Sequence, residues 1–218
     1  MKFKAVIFDL DGTLLYTLKD IADSGNFALE QMGFPTHPVD DYRYFIGEGI
    51  ETAMSRTLPE EKRDEKTVAE CVRIYREDYS HRWRKSSKPY DGIAEVLKRL
   101  KQMGIKTAVL SNKPDDFTRI MVNELLGDFD FETVQGSLPG VPDKPDPGAA
   151  LNIAKKMKIA PENCIYIGDS DIDMKTARAA GMYAVGALWG YRTADELKRA
   201  GANKIIEKPT ELLELFES

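Results

Sequence analysis

Positions 3 to 8 form a short apolar run rich in Val, Ile and Phe that stops at Asp9. Such a run predicts a strand buried on both faces. A polar turn containing glycine follows, Asp9-Leu10-Asp11-Gly12-Thr13. Leu18, Ile21, Ala22, Leu29 and Met32 then recur at helical spacing as far as Gly33. Two prolines mark positions 33–39 as a loop. From 40 to about 85 the pattern reads as wholly helical, with Val68, Val72, Tyr75, Tyr79 and Trp83 on one face.

Beyond Gly92 the rhythm changes. Ile93, Val96, Leu97, Leu100 and Met103 predict an amphipathic helix closed by Gly104, then a strand at 105–110 and a helix opening at Pro114. Strands at 131–134, 164–167, 182–185 and 204–206 alternate with helices at 147–157, 171–180, 195–200 and 209–216. This alternation implies an α/β fold, a doubly wound parallel sheet with helices on both faces. The first strand and the next are too far apart for one crossover helix. Residues 15–87 are therefore expected to form an inserted small α-helical domain, and 1–14 with 88–218 the core.

The 218 residues suffice for that division, and 42% hydrophobic with 31% charged residues fit a folded chain. A net charge of −5 argues against a nucleic-acid or anionic-membrane binder. Tyr75 and Tyr79 with Arg82-Trp83-Arg84-Lys85 read better as inward rings and solvated charges than as a nucleic-acid patch. Cys71 and Cys164 are expected to be packed thiols, and His37 a solvated loop residue. Two cysteines and two histidines leave little room for a thiolate or imidazole metal site. No stretch approaches the roughly 20 apolar residues of a membrane span. The expectation is a cytoplasmic protein, monomer or homodimer, without nucleic-acid or membrane partners.

In an open α/β sheet, ligands bind beyond the carboxyl ends of the strands. Here those ends carry Asp9 and Asp11, then Ser111-Asn112-Lys113, then Asp169, Asp171 and Asp173, with Lys144 in the loop before a helix. Carboxylates gathered this closely repel, and a hard divalent cation resolves the conflict. Lysine, hydroxyl and amide groups suit the oxygens of a phosphoryl group. The set points to phosphoryl transfer. An EF-hand reading of Asp169-x-Asp171-x-Asp173 fails, because Met174 and Ala180 stand where glycine and glutamate are required. Gly47-Glu48-Gly49 lacks a third glycine, and no Walker A sequence is present.

Asp9-Leu10-Asp11-Gly12-Thr13-Leu14, Leu110-Ser111-Asn112, Lys144-Pro145 and Gly168-Asp169-Ser170-x-x-Asp173 resemble, in order, the four motifs of the haloacid dehalogenase-like hydrolases. The resemblance spans nearly the whole chain. The insert after the first motif is similar to the helical cap of the phosphoglycolate phosphatase-like group, and residues 44–49 resemble its substrate-facing loop. The resemblance implies a Mg2+-dependent phosphatase acting on a small phosphorylated metabolite, phosphoglycolate being the best single guess. It implies Asp9 as nucleophile, forming an aspartyl-phosphate, and Asp11 as general acid and base. Metal contacts are expected from Asp9, Asp169, Asp173 and Asp11, the last through its backbone carbonyl. Asp173 either joins through water or holds Lys144. Ser111, Asn112 and Lys144 are expected at the phosphate, Asn112 supporting its loop and Thr13 orienting Asp11. Ser170 and Asp171 are expected to cap the following helix. Arg43, or else Tyr191-Arg192, is a candidate reader of a substrate carboxylate, and Gly47 and Glu48 belong to the same cap loop.

Competing readings are a phosphosugar mutase on the same scaffold, a pyrophosphate or nucleotide phosphatase, and a true dehalogenase. The dehalogenase has no use for Asp11. A phosphoacceptor signalling module is also possible, but it has no use for an insert of about seventy residues.

Overall fold

The computed structural model describes residues 2–216. Met1, Glu217 and Ser218 of the expected core lie outside them. The first strand, β1 (Ala5–Phe8), has every side chain at 1% exposure or less, so both faces of the sheet are covered there. A two-residue strand, β2 (Leu15–Tyr16), leads into the helical stretch. That stretch holds α1 (Leu18–Gln31), α2 (Tyr42–Phe45), α3 (Ile50–Thr57) and α4 (Glu65–Arg82). The chain returns through β3 (Lys88–Pro89), which pairs with β2. Then follow α5 (Ile93–Gln102), β4 (Lys106–Pro114), α6 (Asp115–Leu126), β5 (Thr133–Ser137), α7 (Gly148–Met157), β6 (Cys164–Gly168), α8 (Asp171–Ala179), β7 (Tyr183–Ala187), α9 (Ala194–Arg199) and β8 (Lys204–Ile206). Residues Pro209–Phe216 wind as a 3-10 helix, where the sequence pattern suggests an α-helix.

The main sheet is parallel, in the order β5-β4-β1-β6-β7-β8. Strand order reverses between β1 and β6, and crossovers on either side of that line leave a crevice at the carboxyl ends. One face packs Ala5, Ile7, Ala108 and Tyr166 against Ile153, Met157, Met174 and Leu197. Contacts divide the chain into two compact units, Met1–Leu15 with Pro89–Ser218, and Tyr16–Lys88.

Within the helical unit, the stretch from 40 to 85, expected to be wholly helical, holds α2, α3 and α4 with non-helical breaks between them. Gly47 (φ 120°) and Gly49 (φ 89°) take backbone conformations that no α-helix contains, and Leu58 and Pro59 are extended. Asp64 then opens α4, its carboxylate accepting from the backbone N–H (3.1 Å) and hydroxyl (2.6 Å) of Thr67. The buried stripe of α4 runs through Cys71, Tyr75 and Tyr79 to Trp83, with Val68 and Val72 only half-buried. Tyr75 and Tyr79 stack at 5.2 Å, and Arg82 pairs with Asp78, so the aromatic-basic segment is core and ion pair. His37 is half-buried and held in place rather than free in a loop. Its ring packs edge-on against Phe45 and its Nε2 lies 2.8 Å from the Thr57 carbonyl, while the Asn26 amide holds its backbone at both N–H and C=O.

Asp20, fully buried in α1, ties down the segment before β3. Its Oδ2 accepts from the backbone N–H groups of Ser86 (2.9 Å) and Ser87 (2.8 Å) and from the Ser87 hydroxyl (2.9 Å). Among the described residues no helix is long and apolar enough to cross a membrane. Asp20→Ala strands three donors, two of them buried with Ser87, and is expected to cost about 2–4 kcal/mol in urea unfolding. Ser87→Ala removes one hydroxyl and is expected to cost about 1 kcal/mol.

Candidate active site

The turn after β1 is built by its own backbone. The Leu10 carbonyl accepts from Thr13, Leu14 and Leu15, and Gly12 N–H donates to Leu15. Gly12 has φ +84°, and a Cβ there would lie 2.4 Å from Asp169 Oδ2. Only glycine allows this turn and the loop after β6 to close on each other. Asp9 N–H donates to the Ile167 carbonyl (2.9 Å), which seats Asp9 beside the end of β6. After β6, Ser170 caps α8 with Asp173 in a reciprocal capping box. Asp171 instead pairs with Lys175 one turn along (2.6 Å).

Asp9, Asp169 and Asp173 come together here, all buried, with one oxygen of each lying within 4.8 Å of the others. Lys144 sits among them, its Nζ 2.8 Å from Asp9 and 2.7 Å from Asp173. The second Asp173 oxygen accepts from the Ser170 hydroxyl (2.6 Å) and N–H (3.1 Å). Asp169 accepts from the Thr13 hydroxyl (3.1 Å) and from the Tyr191 N–H (2.8 Å). Thr13 therefore orients Asp169 and not Asp11, because the turn brings its hydroxyl across to the β6 loop. Tyr191 serves through its backbone.

Asn112 reaches Lys144 along the backbone. Its amide donates to the Lys144 carbonyl (2.9 Å), and its oxygen accepts from the Lys144 N–H (2.8 Å). That two-point clasp ties the Asn112 side chain to the backbone of the loop that carries Lys144. Ser111 is buried beside it, its hydroxyl accepting from Lys113 N–H (3.2 Å).

Lys113 has no role assigned from the sequence pattern. Pairing of β4 with β5 jumps from Leu110↔Gln135 to Pro114↔Ser137, four residues against two, so β4 bulges across 111–113. Gly136 opposite admits the bulge, since a Cβ there would meet the Lys113 carbonyl at 2.5 Å. The bulge carries the Lys113 side chain inward, and its Nζ lies 3.1 Å from both oxygens of Asp11. The Asp11 carboxylate is thus turned to Lys113 and stands outside the three-carboxylate cluster.

Charge dominates this rim. Burial, and then the Asp173 carboxylate, push Asp9 up to about 7, against the pull of Lys144. Burial, then Asp173 and Asp9, push Asp169 well above the usual carboxylate range. Burial opposes the Lys144 charge, but Asp173 and Asp9 outweigh it and hold the ammonium well above its ordinary value. Three carboxylates against one ammonium leave an excess of two negative charges if all ionise. The donors are all oxygen. Such a set fits a hard divalent cation, to which Asp9, Asp169 and Asp173 would be the side-chain ligands.

The family model of the haloacid dehalogenase-like hydrolases matches residues 6–187, which run from β1 through β7. The chain belongs to that family. A phosphoglycolate phosphatase of Nitrosospira multiformis is 30% identical to this hydrolase, over all of this chain and 97% of the relative. One of Aquifex aeolicus is 28% identical over 99% and 97%. Two solved structures, each named by inference a phosphoglycolate phosphatase, superpose over 99% of the chain. One, from Lactobacillus delbrueckii subsp. bulgaricus, has 98% of its length covered, a TM-score of 0.90 and 32% identity. The other, from Haemophilus somnus, has 99% covered, 0.89 and 27%.

The candidates Arg43, Gly47 and Glu48 belong to the helical unit, whereas Arg192 lies in the core unit. Arg43 is half-buried and pairs with Asp40 (3.3 Å). Glu48 pairs with Arg56, whose other nitrogen donates to the Phe45 carbonyl (3.3 Å), so Arg56 braces the loop that holds Gly47.

A raised Asp9 pKa has a defined consequence for folding. The unfolded chain releases this proton near pH 4 and the folded metal-free protein near pH 7. The folded state then binds the extra proton, so the stabilisation is full below about pH 4 and lost as pH rises through about 7. Urea midpoints of metal-free protein are expected to fall over that window, and Asp9→Asn is expected to flatten the slope.

Proposed function

We propose that this hydrolase is a Mg2+-dependent phosphatase of a small phosphorylated metabolite, with phosphoglycolate the leading substrate. The observation that carries the reading is the buried, all-oxygen cluster of Asp9, Asp169 and Asp173 with Lys144 bridging two of its members. The names of the relatives support the substrate class.

Bound Mg2+ would supply positive charge to the phosphoryl oxygens and to the carboxylates that face them. Asp9 is the nucleophile in this reading. One of its oxygens forms a bond to phosphorus, the ester P–O bond breaks, and the leaving oxygen takes its electron pair and a proton from Asp11. In the second half, Asp11 accepts a proton from water as the water oxygen attacks phosphorus, and the bond to Asp9 breaks to release phosphate. Lys144 offsets charge on the transferring group, and Ser111 offers it a hydroxyl. Asn112 fixes the Lys144 backbone, Thr13 fixes Asp169, and Asp173 aims the Lys144 ammonium. The helical unit is the proposed cap that selects the leaving group, with Arg43, Gly47 and Glu48 as its candidate contacts.

Phosphate release from phosphoglycolate, sugar phosphates, nucleotides and pyrophosphate, with and without Mg2+, tests this reading. Turnover is expected to need the metal and to favour phosphoglycolate. Asp9→Asn is expected to lower kcat by at least about a thousandfold. Metal-independent turnover, or full activity in Asp9→Asn, would overturn it.

A further inference from the structure

We infer that Lys113 is a positioning residue for proton transfer, holding the Asp11 side chain in the orientation from which its protonated carboxyl group gives a proton to the leaving oxygen. This rests on the proposed phosphatase reading. Two lysines enter the rim, Lys113 from the bulge of β4 and Lys144 from the loop before α7, and they serve different carboxylates. Lys144 lies against Asp9 and Asp173, and Lys113 lies against Asp11. The Lys113 side chain is 5% exposed and that of Asp11 19%, so the pair is shielded from water on the lysine side while the carboxylate keeps an open edge. Nζ stands 3.1 Å from each Asp11 oxygen, a two-point contact that fixes rotation of the carboxylate plane.

The lysine is itself held. Its backbone N–H donates to the Ser111 hydroxyl (3.2 Å) and its carbonyl accepts from the Thr118 hydroxyl (3.1 Å). The Gly136 N–H donates to Asp115 (2.8 Å) two residues on, which pins the far side of the bulge. A long flexible side chain anchored at its base and ion-paired at its tip loses much of its freedom. A carboxylate on a five-residue turn gains a fixed partner. General acid catalysis by such a group is worth about 10²- to 10⁴-fold and depends on orientation as well as on the proton itself. The step Lys113 serves breaks the ester P–O bond, with the electron pair and the Asp11 proton both passing to the leaving oxygen.

Leaving-group basicity tests the assignment. Alkoxides need the proton, whereas p-nitrophenolate leaves without it. kcat/KM reports the transfer to Asp9, the step in which the leaving group departs. Lys113→Met, Lys113→Arg, Asp11→Asn and the double variant Asp11→Asn/Lys113→Met are assayed with Mg2+ on alkyl phosphates, phenyl phosphate and p-nitrophenyl phosphate. Lys113→Met is expected to lose about 10- to 100-fold in kcat/KM on alkyl esters and under about 3-fold on p-nitrophenyl phosphate. Lys113→Arg is expected to restore part of the loss, and the double variant to be no worse than Asp11→Asn. The alkyl-to-aryl ratio, taken on one preparation, is independent of how much of it is folded. An equal loss on every ester, a loss confined to esters bearing a carboxylate, or losses that multiply in the double variant would overturn the inference. A failure of the phosphatase reading shows separately, as wild-type protein that hydrolyses none of the esters.

Discussion

Three carboxylates are buried at the point where the sheet reverses its strand order, and one ammonium stands among them. Like charges in a low dielectric repel, so this arrangement persists only where the fold fixes its members and something compensates them. Lys144 supplies part of the compensation. The rest shows as raised pKa values for Asp9 and Asp169, the expected mark of a site that takes up a cation. The surrounding polar structure serves this constraint. Thr13 and the Tyr191 N–H satisfy Asp169, and Ser170 satisfies Asp173.

The precision of the site comes from backbone devices in the loops. Gly12 lets the turn after β1 close against Asp169. Asn112 holds the Lys144 backbone at two points, and the β4 bulge with Gly136 opposite turns Lys113 inward. Each joins segments far apart in the chain at the same rim. Loops alone are mobile, but loops tied to one another across strand ends hold side chains to the tolerance that group transfer requires. Membership of the haloacid dehalogenase-like hydrolases agrees with this construction, since the fold places its strand ends at one crevice whatever the substrate.

The helical unit follows a separate logic. Its core is aromatic, with Tyr75, Tyr79 and Trp83 buried beside α1, and Asp20 anchors the segment that leads out of it. Gly47 and Gly49 interrupt a stretch whose apolar pattern reads as helical throughout, and they create a loop braced by Arg56. A periodicity of apolar residues does not report where a backbone must turn. Glycine and proline do, through the backbone conformations they allow or forbid.

The sequence by itself determined the alternation of strands and helices, the parallel sheet, the family motifs and the acidic and cationic residues at the strand ends. Those features are local. A strand is marked by its apolar run, and a carboxylate at its end is carried to the rim by the strand itself. The tertiary structure alone decided which rim residue meets which. It gave Thr13 to Asp169 instead of Asp11, turned Asn112 to the backbone of Lys144, and brought Lys113 to Asp11 across a bulge. A lysine just past a strand is ordinarily solvated, and only the register shift between β4 and β5 reverses that. Register is a relation between strands distant in sequence, and so the partner of each charge was fixed by packing rather than by the order of residues along the chain.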